Sequence, residues 1–299
     1  MNKDFKPEKT SQGYYEAMPR PSTEELDKFY KEAYFKEGVT TTYQITYTEE
    51  ELLQKELVSR KITRFIEQNI PSTQNKITSV EIGCGEGFLL KSCIDNSWDA
   101  HAVDYQKEPV EKFNNDVIKN FTEAHPGDYL NDVINQNKKY DVVMLQNVLE
   151  HVLDPKHLMT QLSKIIKSTG LIFVAIPNDF SEFQELAQKE NKIDRDYWFC
   201  PPQHLNYFND KNIHDFAKSI NMEIVDAITD FPIELYLWGN KENYITDSTM
   251  GPMAHLARVQ LDLFLSRRGL DPYLDFYRSC FKLGLGRCIS VLLRPSSSN

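Results

Sequence analysis

The sequence predicts an α/β protein: a doubly wound, mostly parallel seven-stranded sheet of Rossmann-like type, with N-terminal helices and a helical insert before the last strand. Three observations carry this. Between residues 76 and 177, strand-like and helix-like stretches alternate, as they do when a parallel sheet is covered on both faces. "YDVVMLQNV" and "LIFVAIPN" are apolar without alternation, the texture of strands buried on both sides. "VEIGCGEGFLL" (Val80 to Leu90) runs a strand through three alternate glycines into a helix, and that turn is the ligand cradle of doubly wound sheets.

The elements follow in order. Residues 1–20 are polar, with Tyr14 and Tyr15 among them. "PRPSTEELDKFYKEAYF" reads as a helix: Ser22 or Thr23 caps it, acids fill its first turn, and Leu26, Phe29, Tyr30 and Ala33 recur at helical spacing. A second helix spans Glu49 to Gln68 and ends before Pro71. Residues 1–70 are therefore read as a helical cap. The α/β core takes residues 71–233. Its strands are "KITSVEIG", "DAHAVDYQ", a short third one within "FTEAHPGDYL", "YDVVMLQNV", "LIFVAIPN" and "MEIVDAIT". Helices fall on "GFLLKSCIDN", Pro109 to Lys119, "PKHLMTQLSKIIKSTG" closed by Gly170, and "DKNIHDFAKSI". Residues 234–285 form a helical insert or lid whose clearest helix is "MAHLARVQLDLFLSRRG". "RCISVLLRP" in 286–299 is the last strand, expected to run antiparallel to its neighbours.

Composition excludes several classes. The chain has 299 residues, 34 basic against 44 acidic, for a formal charge of −10. Such a balance does not favour phosphate backbones or anionic membrane surfaces, so no nucleic-acid or membrane partner is expected. No apolar run approaches the roughly 18 residues of a membrane span, and the N-terminus lacks the apolar stretch of a signal peptide. The five cysteines form no CxxC pair and are odd in number, which reads as reduced cytoplasmic thiols without a disulfide framework or a metal site.

The glycine turn narrows the ligand. The dinucleotide fingerprint G-x-G-x-x-G fails because Phe88 stands at its third glycine, and no Gly-Lys-Ser/Thr follows for a P-loop. What stands is acid-x-Gly-x-Gly-x-Gly: Glu81, Gly83, Cys84, Gly85, Gly87. Asp104 closes the second strand about 20 residues beyond Gly83, where an acid can accept from both hydroxyls of a ribose. The set resembles the first motifs of class I S-adenosylmethionine-dependent methyltransferases. "YDVVMLQNVLEHVLDP" resembles the matching stretch of ubiquinone-biosynthesis-type O-methyltransferases and related small-molecule enzymes.

The resemblance covers residues 75–230 and implies S-adenosylmethionine as the cofactor. It places Glu81 and the glycine turn at the methionyl group, Asp104 at the ribose and Tyr105 beside the adenine. Asp128 would accept from the adenine amino group, and Gln146 would lie by the methionyl part. Glu150 and His151 follow at the lip of the cleft.

The acceptor site should come from the segments that are not standard sheet or helix. "DYWFCPPQHLNYF" offers Tyr197, Trp198, Phe199, Tyr207 and Phe208 as walls, and His204 as a candidate base beside His151. "WFCPPQHL" resembles a pattern of methyltransferases linked to sugars and surface polysaccharides. Tyr14 and Tyr15 are candidates for a lid, and Arg20 for an anionic acceptor group. The insert's Leu256, Val259, Leu263 and Phe264 are read as core, as an acceptor cap or as a homodimer seam.

The expected activity is methyl transfer to a small-molecule hydroxyl, such as that of a sugar or nucleotide-linked sugar. Nitrogen or carbon acceptors, a Rossmann-type oxidoreductase and a non-catalytic cofactor-fold binder remain open.

Overall fold

The computed structural model of the protein describes residues 4–29, 46–71, 76–239 and 241–296. It begins with a hairpin, β1 (Lys6–Lys9) and β2 (Tyr15–Met18), where the sequence promised only polar chain ahead of helices. The N-terminal segment is thus not wholly helical. The charged side chains of "KPEK" hide the strand, and β2 is completed by β8 (Asn206–Tyr207), from the far half of the chain, so no local pattern announces it.

Helix α1 (Thr23–Phe29) starts where expected, with the Ser22 hydroxyl accepting from Glu25 N and Ser22 N donating to the Glu25 carboxylate. The rest of that expected helix, Tyr30 onward, lies outside the described residues. Helix α2 (Glu49–Glu67) matches its reading closely. Thr48 and Glu51 form a reciprocal capping box. Leu57, Ile62, Phe65 and Ile66 face inward.

The main sheet contains, in chain order, β3 (Thr78–Ile82), β4 (Asp99–Asp104), β5 (Phe121–Glu123), β6 (Tyr140–Gln146), β7 (Ile166–Pro177), β9 (Met222–Thr229) and β10 (Cys288–Pro295). Among the described residues its order is β5-β4-β3-β6-β7-β10-β9. The β5-β4-β3-β6-β7 part is parallel, and β10 is antiparallel to both β7 and β9, as expected. Both faces are covered, which is why β6 and β7 read as unbroken apolar runs. On one face Val80, Ile82, Val143, Leu145 and Ile172 pack with Leu130, Met159 and Phe216. On the other, Val142, Met144 and Phe173 pack with Phe65, Leu90, Tyr273 and Tyr277.

Helix α3 (Phe88–Asp95) follows the glycine turn, and α4 (Glu108–Phe113) gives way to a 3₁₀ turn over Asn115–Asn120 where one helix was expected. Helix α5 (Pro126–Asn135) takes the ambiguous stretch after β5. Helix α6 (Pro155–Ser163) ends earlier than read, because β7 begins at Ile166. Gly170 therefore lies inside β7 and closes no helix. A Cβ there would stand 2.8 Å from the Asp141 carbonyl oxygen, so the strand pair closes only around glycine.

Helix α7 (Glu182–Lys189) was not foreseen, while α8 (Asn212–Ser219) was. The insert supplies α9 (Gly251–Ser266) and α10 (Leu270–Lys282). On α9, Val259 is buried but Leu256 and Phe264 point outward, so the four apolar residues read there do not form one core stripe.

Thr48→Ala should lower stability by about 1 kcal/mol, the usual cost of a lost N-cap, measured by urea unfolding. An unchanged midpoint would mean the box adds nothing to α2.

Candidate active site

Beyond β3 the chain turns through Gly83–Gly87 with the backbone left-handed at each glycine, at φ of +77°, +53° and +77°. A Cβ on Gly83 would stand 2.7 Å from Cγ2 of Val148, and one on Gly87 would stand 3.2 Å from Val110 Cγ1. Both the backbone conformation and the packing therefore require glycine. The turn is tied to the end of β4: Gly83 N donates to the Val103 carbonyl, and Gly85 N donates to Asp104 Oδ2 at 2.8 Å. Its outer side is held by Lys55 of α2, whose Nζ meets Glu86 Oε2 at 2.7 Å, and by Tyr47 just ahead of that helix, which donates to the same carboxylate.

A cleft of about 1130 Å³ opens over the carboxyl ends of β3, β4, β6 and β7, bounded by residues of α2 and α9. Glu81, Gly83, Cys84, Gly85, Gly87, Asp104, Tyr105, Gln146, Glu150, His151 and His204 all line it, so most of the residues singled out from the sequence converge there. Burial, reinforced by Asp104, pushes the Glu81 carboxyl well above its usual range, and its buried Oε2 has no hydrogen-bond partner among the described residues. Burial also raises Asp104, partly offset by backbone N–H groups of Gly85, Tyr105 and Gln106.

A second group stands after β6. The Gln203 carbonyl can only accept, so His151 Nδ1 carries the proton in their 2.6 Å bond. The neutral ring's Nε2 therefore carries the lone pair, 3.8 Å from Glu150 Oε1. His204 crosses His151 edge to face at 4.8 Å, and its buried Nδ1 has no hydrogen-bond partner among the described residues. Burial lowers both imidazoles, His151 to about 4, and raises Glu150 to about 8. One ligand-capable atom from each of the three lies within 4.8 Å of the others, a carboxylate and two imidazoles close enough for one cation to draw together.

These residues are sewn in place by their backbones. Leu205 N and Asn206 N donate to the Glu150 carbonyl. Arg20 donates to the carbonyls of Val152, Leu153 and Leu205 and to Asn206 Oδ1. Arg20 was read as a contact for an anionic acceptor; its guanidinium instead ties together the two segments that carry the histidines.

A family model described as "Methyltransferase domain" matches residues 54–227, more than half of the chain. The chain belongs to the methyltransferase domain family. It is a class I S-adenosylmethionine-dependent methyltransferase, and S-adenosylmethionine is its cofactor.

Among relatives, the ubiquinone biosynthesis O-methyltransferase of Vibrio atlanticus (strain LGP32) is 28% identical over 178 residues, covering 56% of this chain and 68% of that protein. Its namesake from Proteus mirabilis (strain HI4320) is 28% identical over 104 residues, covering 33% and 41%. The one from Rickettsia conorii (strain ATCC VR-613 / Malish 7) is 25% identical over 227 residues, covering 68% and 74%. The alignments thus span from two fifths to three quarters of these relatives' own lengths. Similar folds include a SAM-dependent methyltransferase from Archaeoglobus fulgidus (17% identity, 80% of this chain and 93% of that one, TM-score 0.47). The plantazolicin methyltransferase BpumL, solved in complex with SAH, is another (15% identity, 83% and 86%, TM-score 0.49).

The methyltransferase's residues fit this cofactor. The turn sends no side chain from its glycines toward a ligand, and the unpartnered Glu81 oxygen suits a buried ammonium or a water bound to one.

Other expectations are corrected. Asp128 is exposed in the first turn of α5 and does not line the cleft; His125, Pro126 and Gly127 do, because the chain turns into the helix before reaching it. Tyr14 is buried, stacked on Phe208 at 4.7 Å and edge-on to Phe216. Tyr15 stacks on Phe180 at 4.3 Å. Trp198 is fully buried with Ala187, Ile193 and Leu237. Tyr207 is buried in the small sheet, its hydroxyl donating to the His204 carbonyl. None of these four lines the cleft. Large rings gain most from full burial, and here they form the core beneath the loop. Lys61, Asp230, Arg258 and Asp262 do line it and were missed, since nothing local separates them from solvated charges on helices and turns.

Glu150 gives a pH test. Its folded value of about 8 exceeds the ordinary 4.5, so the folded protein holds a proton that the unfolded chain releases, and stability falls as pH rises through that window. Glu150→Gln should therefore raise the melting temperature by several degrees at about pH 8.5, on the order of a few kcal/mol, and by little at about pH 5. Equal shifts by calorimetry at both pH values would contradict this.

Proposed function

We propose that this methyltransferase moves the methyl group to an oxygen of a small-molecule acceptor, a hydroxyl of a sugar or nucleotide-linked sugar. The observation that carries the oxygen reading is the oriented imidazole of His151, whose lone-pair nitrogen Nε2 lies beside Glu150 on the wall of the cleft. The relatives named as O-methyltransferases support it.

In this reading the glycine turn at Gly83, Gly85 and Gly87, with the Cys84 backbone, holds the methionyl part. Glu81 takes the ammonium, and Gln146 lies alongside. Asp104 accepts from the ribose hydroxyls, while Tyr105 and the His125–Gly127 turn flank the adenine. S-adenosylmethionine supplies the activated methyl carbon as a sulfonium. The chain supplies alignment, exclusion of water and a proton acceptor. His151 Nε2 would take the hydroxyl proton, and Gln203 keeps the ring in the tautomer that makes this nitrogen the acceptor. His204 walls the same space, and the burial that lowers both rings keeps them neutral and able to accept at neutral pH. Helix α9 of the insert closes the acceptor end.

Calorimetric titration with S-adenosylhomocysteine tests the cofactor half, and a labelled-methyl screen of hydroxyl acceptors tests the other. Asp104→Ala should weaken S-adenosylhomocysteine binding by about 1–3 kcal/mol, the cost of losing a charged hydrogen-bond partner; an unchanged affinity removes its ribose role. His151→Ala should cut turnover by roughly 10²–10⁴-fold, the range for general-base catalysis, with cofactor affinity retained. Full activity in that variant, or transfer only to amines, would overturn the oxygen reading.

A further inference from the structure

Lys61 sits on the inner face of α2 and is 3% exposed, yet it lines the cleft. Among the described residues its ammonium makes no hydrogen bond or ion pair. It stands over the ring faces of Tyr277 at 4.2 Å and Tyr273 at 4.9 Å. Arg258, on α9, lines the same cleft. Its Nη2 meets His255 Nδ1 at 2.7 Å, but its buried Nε has no hydrogen-bond partner among the described residues.

Two carboxylates lie nearby and are engaged elsewhere. Asp262 accepts from the Tyr277 hydroxyl at 2.6 Å and from Gln54 at 2.7 Å. Asp230 accepts from Cys288 N at 2.7 Å and feels both Lys61 and Arg258 through space. These acids balance the charge of the region without bonding the ammonium. A buried ammonium with only ring faces beneath it is expensive, because cation–π contact returns less than desolvation takes.

We propose that Lys61 and Arg258 form an oxyanion subsite of the acceptor pocket, which takes a carboxylate or phosphate group on the methyl acceptor. The proposal rests on the methyltransferase reading above and adds to it the charge of the acceptor. A neutral hydroxyl would satisfy one N–H and leave the buried charge uncompensated at contact. An oxyanion satisfies both cations at once, and Lys and Arg on separate elements, α2 and α9, can grip it from two directions. The subsite also gives the helical insert a role, since it supplies half of the grip.

The test uses the full chain saturated with S-adenosylhomocysteine, so that the cofactor pocket is filled. Inorganic phosphate and acetate are titrated by calorimetry, with glycerol as the neutral control. One of the two anions should bind and glycerol should not, and the stronger anion tells phosphate from carboxylate. Lys61→Met and Arg258→Met should each weaken that anion at least tenfold while keeping S-adenosylhomocysteine affinity, and Lys61→Arg should retain anion binding. If neither anion binds better than glycerol, or if Lys61→Met binds it as the parent does, the subsite is refuted. If S-adenosylhomocysteine itself fails to bind, it is the methyltransferase reading that falls.

Discussion

Val148 reaches Gly83 so closely that no side chain fits between them, and the working half of the molecule depends on this contact. It locks the turn after β3 against the chain leaving β6. In the proposed reading the first holds the cofactor; the second carries Glu150 and His151 just beyond the valine. The glycine turn and the Glu150–His151 stretch are thus referenced to one another through a single close approach, set by left-handed glycine backbone and the packing of one valine methyl. The hydrogen bond from Gly85 N to Asp104 extends the same frame to β4.

The parts of the site that the sequence made legible are those written within a few residues. Strand, glycine turn and helix follow each other in the chain, and the acid at the end of β4 falls at a fixed distance. The β10 direction was also expected, and the strand does lie antiparallel between β7 and β9. What could not be read was non-local. Strand β2 finds its partner in β8 across most of the chain. The rings of "YWF" and "YF" read the same whether they wall a pocket or fill a core, and burial decided for the core. Arg20 was read as a contact for an anionic acceptor because its actual acceptors, three main-chain carbonyls and Asn206 Oδ1, lie far along the chain and leave no local signal. Helix α6 was overextended because "KIIKSTG" suits a helix end by propensity, while the sheet needed those residues to begin β7.

An acidic chain that gathers Lys61, Arg258 and Arg287 around Asp230 has arranged its charge by position and not by sum. The net −10 is a sum over the whole chain, whereas the cleft is set by a few charged groups that line it, the buried Lys61 among them. Overall charge therefore predicts little about what enters.

The clasp of Arg20 has an evolutionary corollary. One guanidinium gathers carbonyls from the stretch after β6 and from the stretch that leads into β8, so the segment between β2 and α1 and these two stretches form one mechanical unit drawn from three distant parts of the gene. Grafting another enzyme's acceptor loop onto this scaffold would leave that fork reaching for oxygens that have moved. Working chimeras should need all three pieces exchanged together.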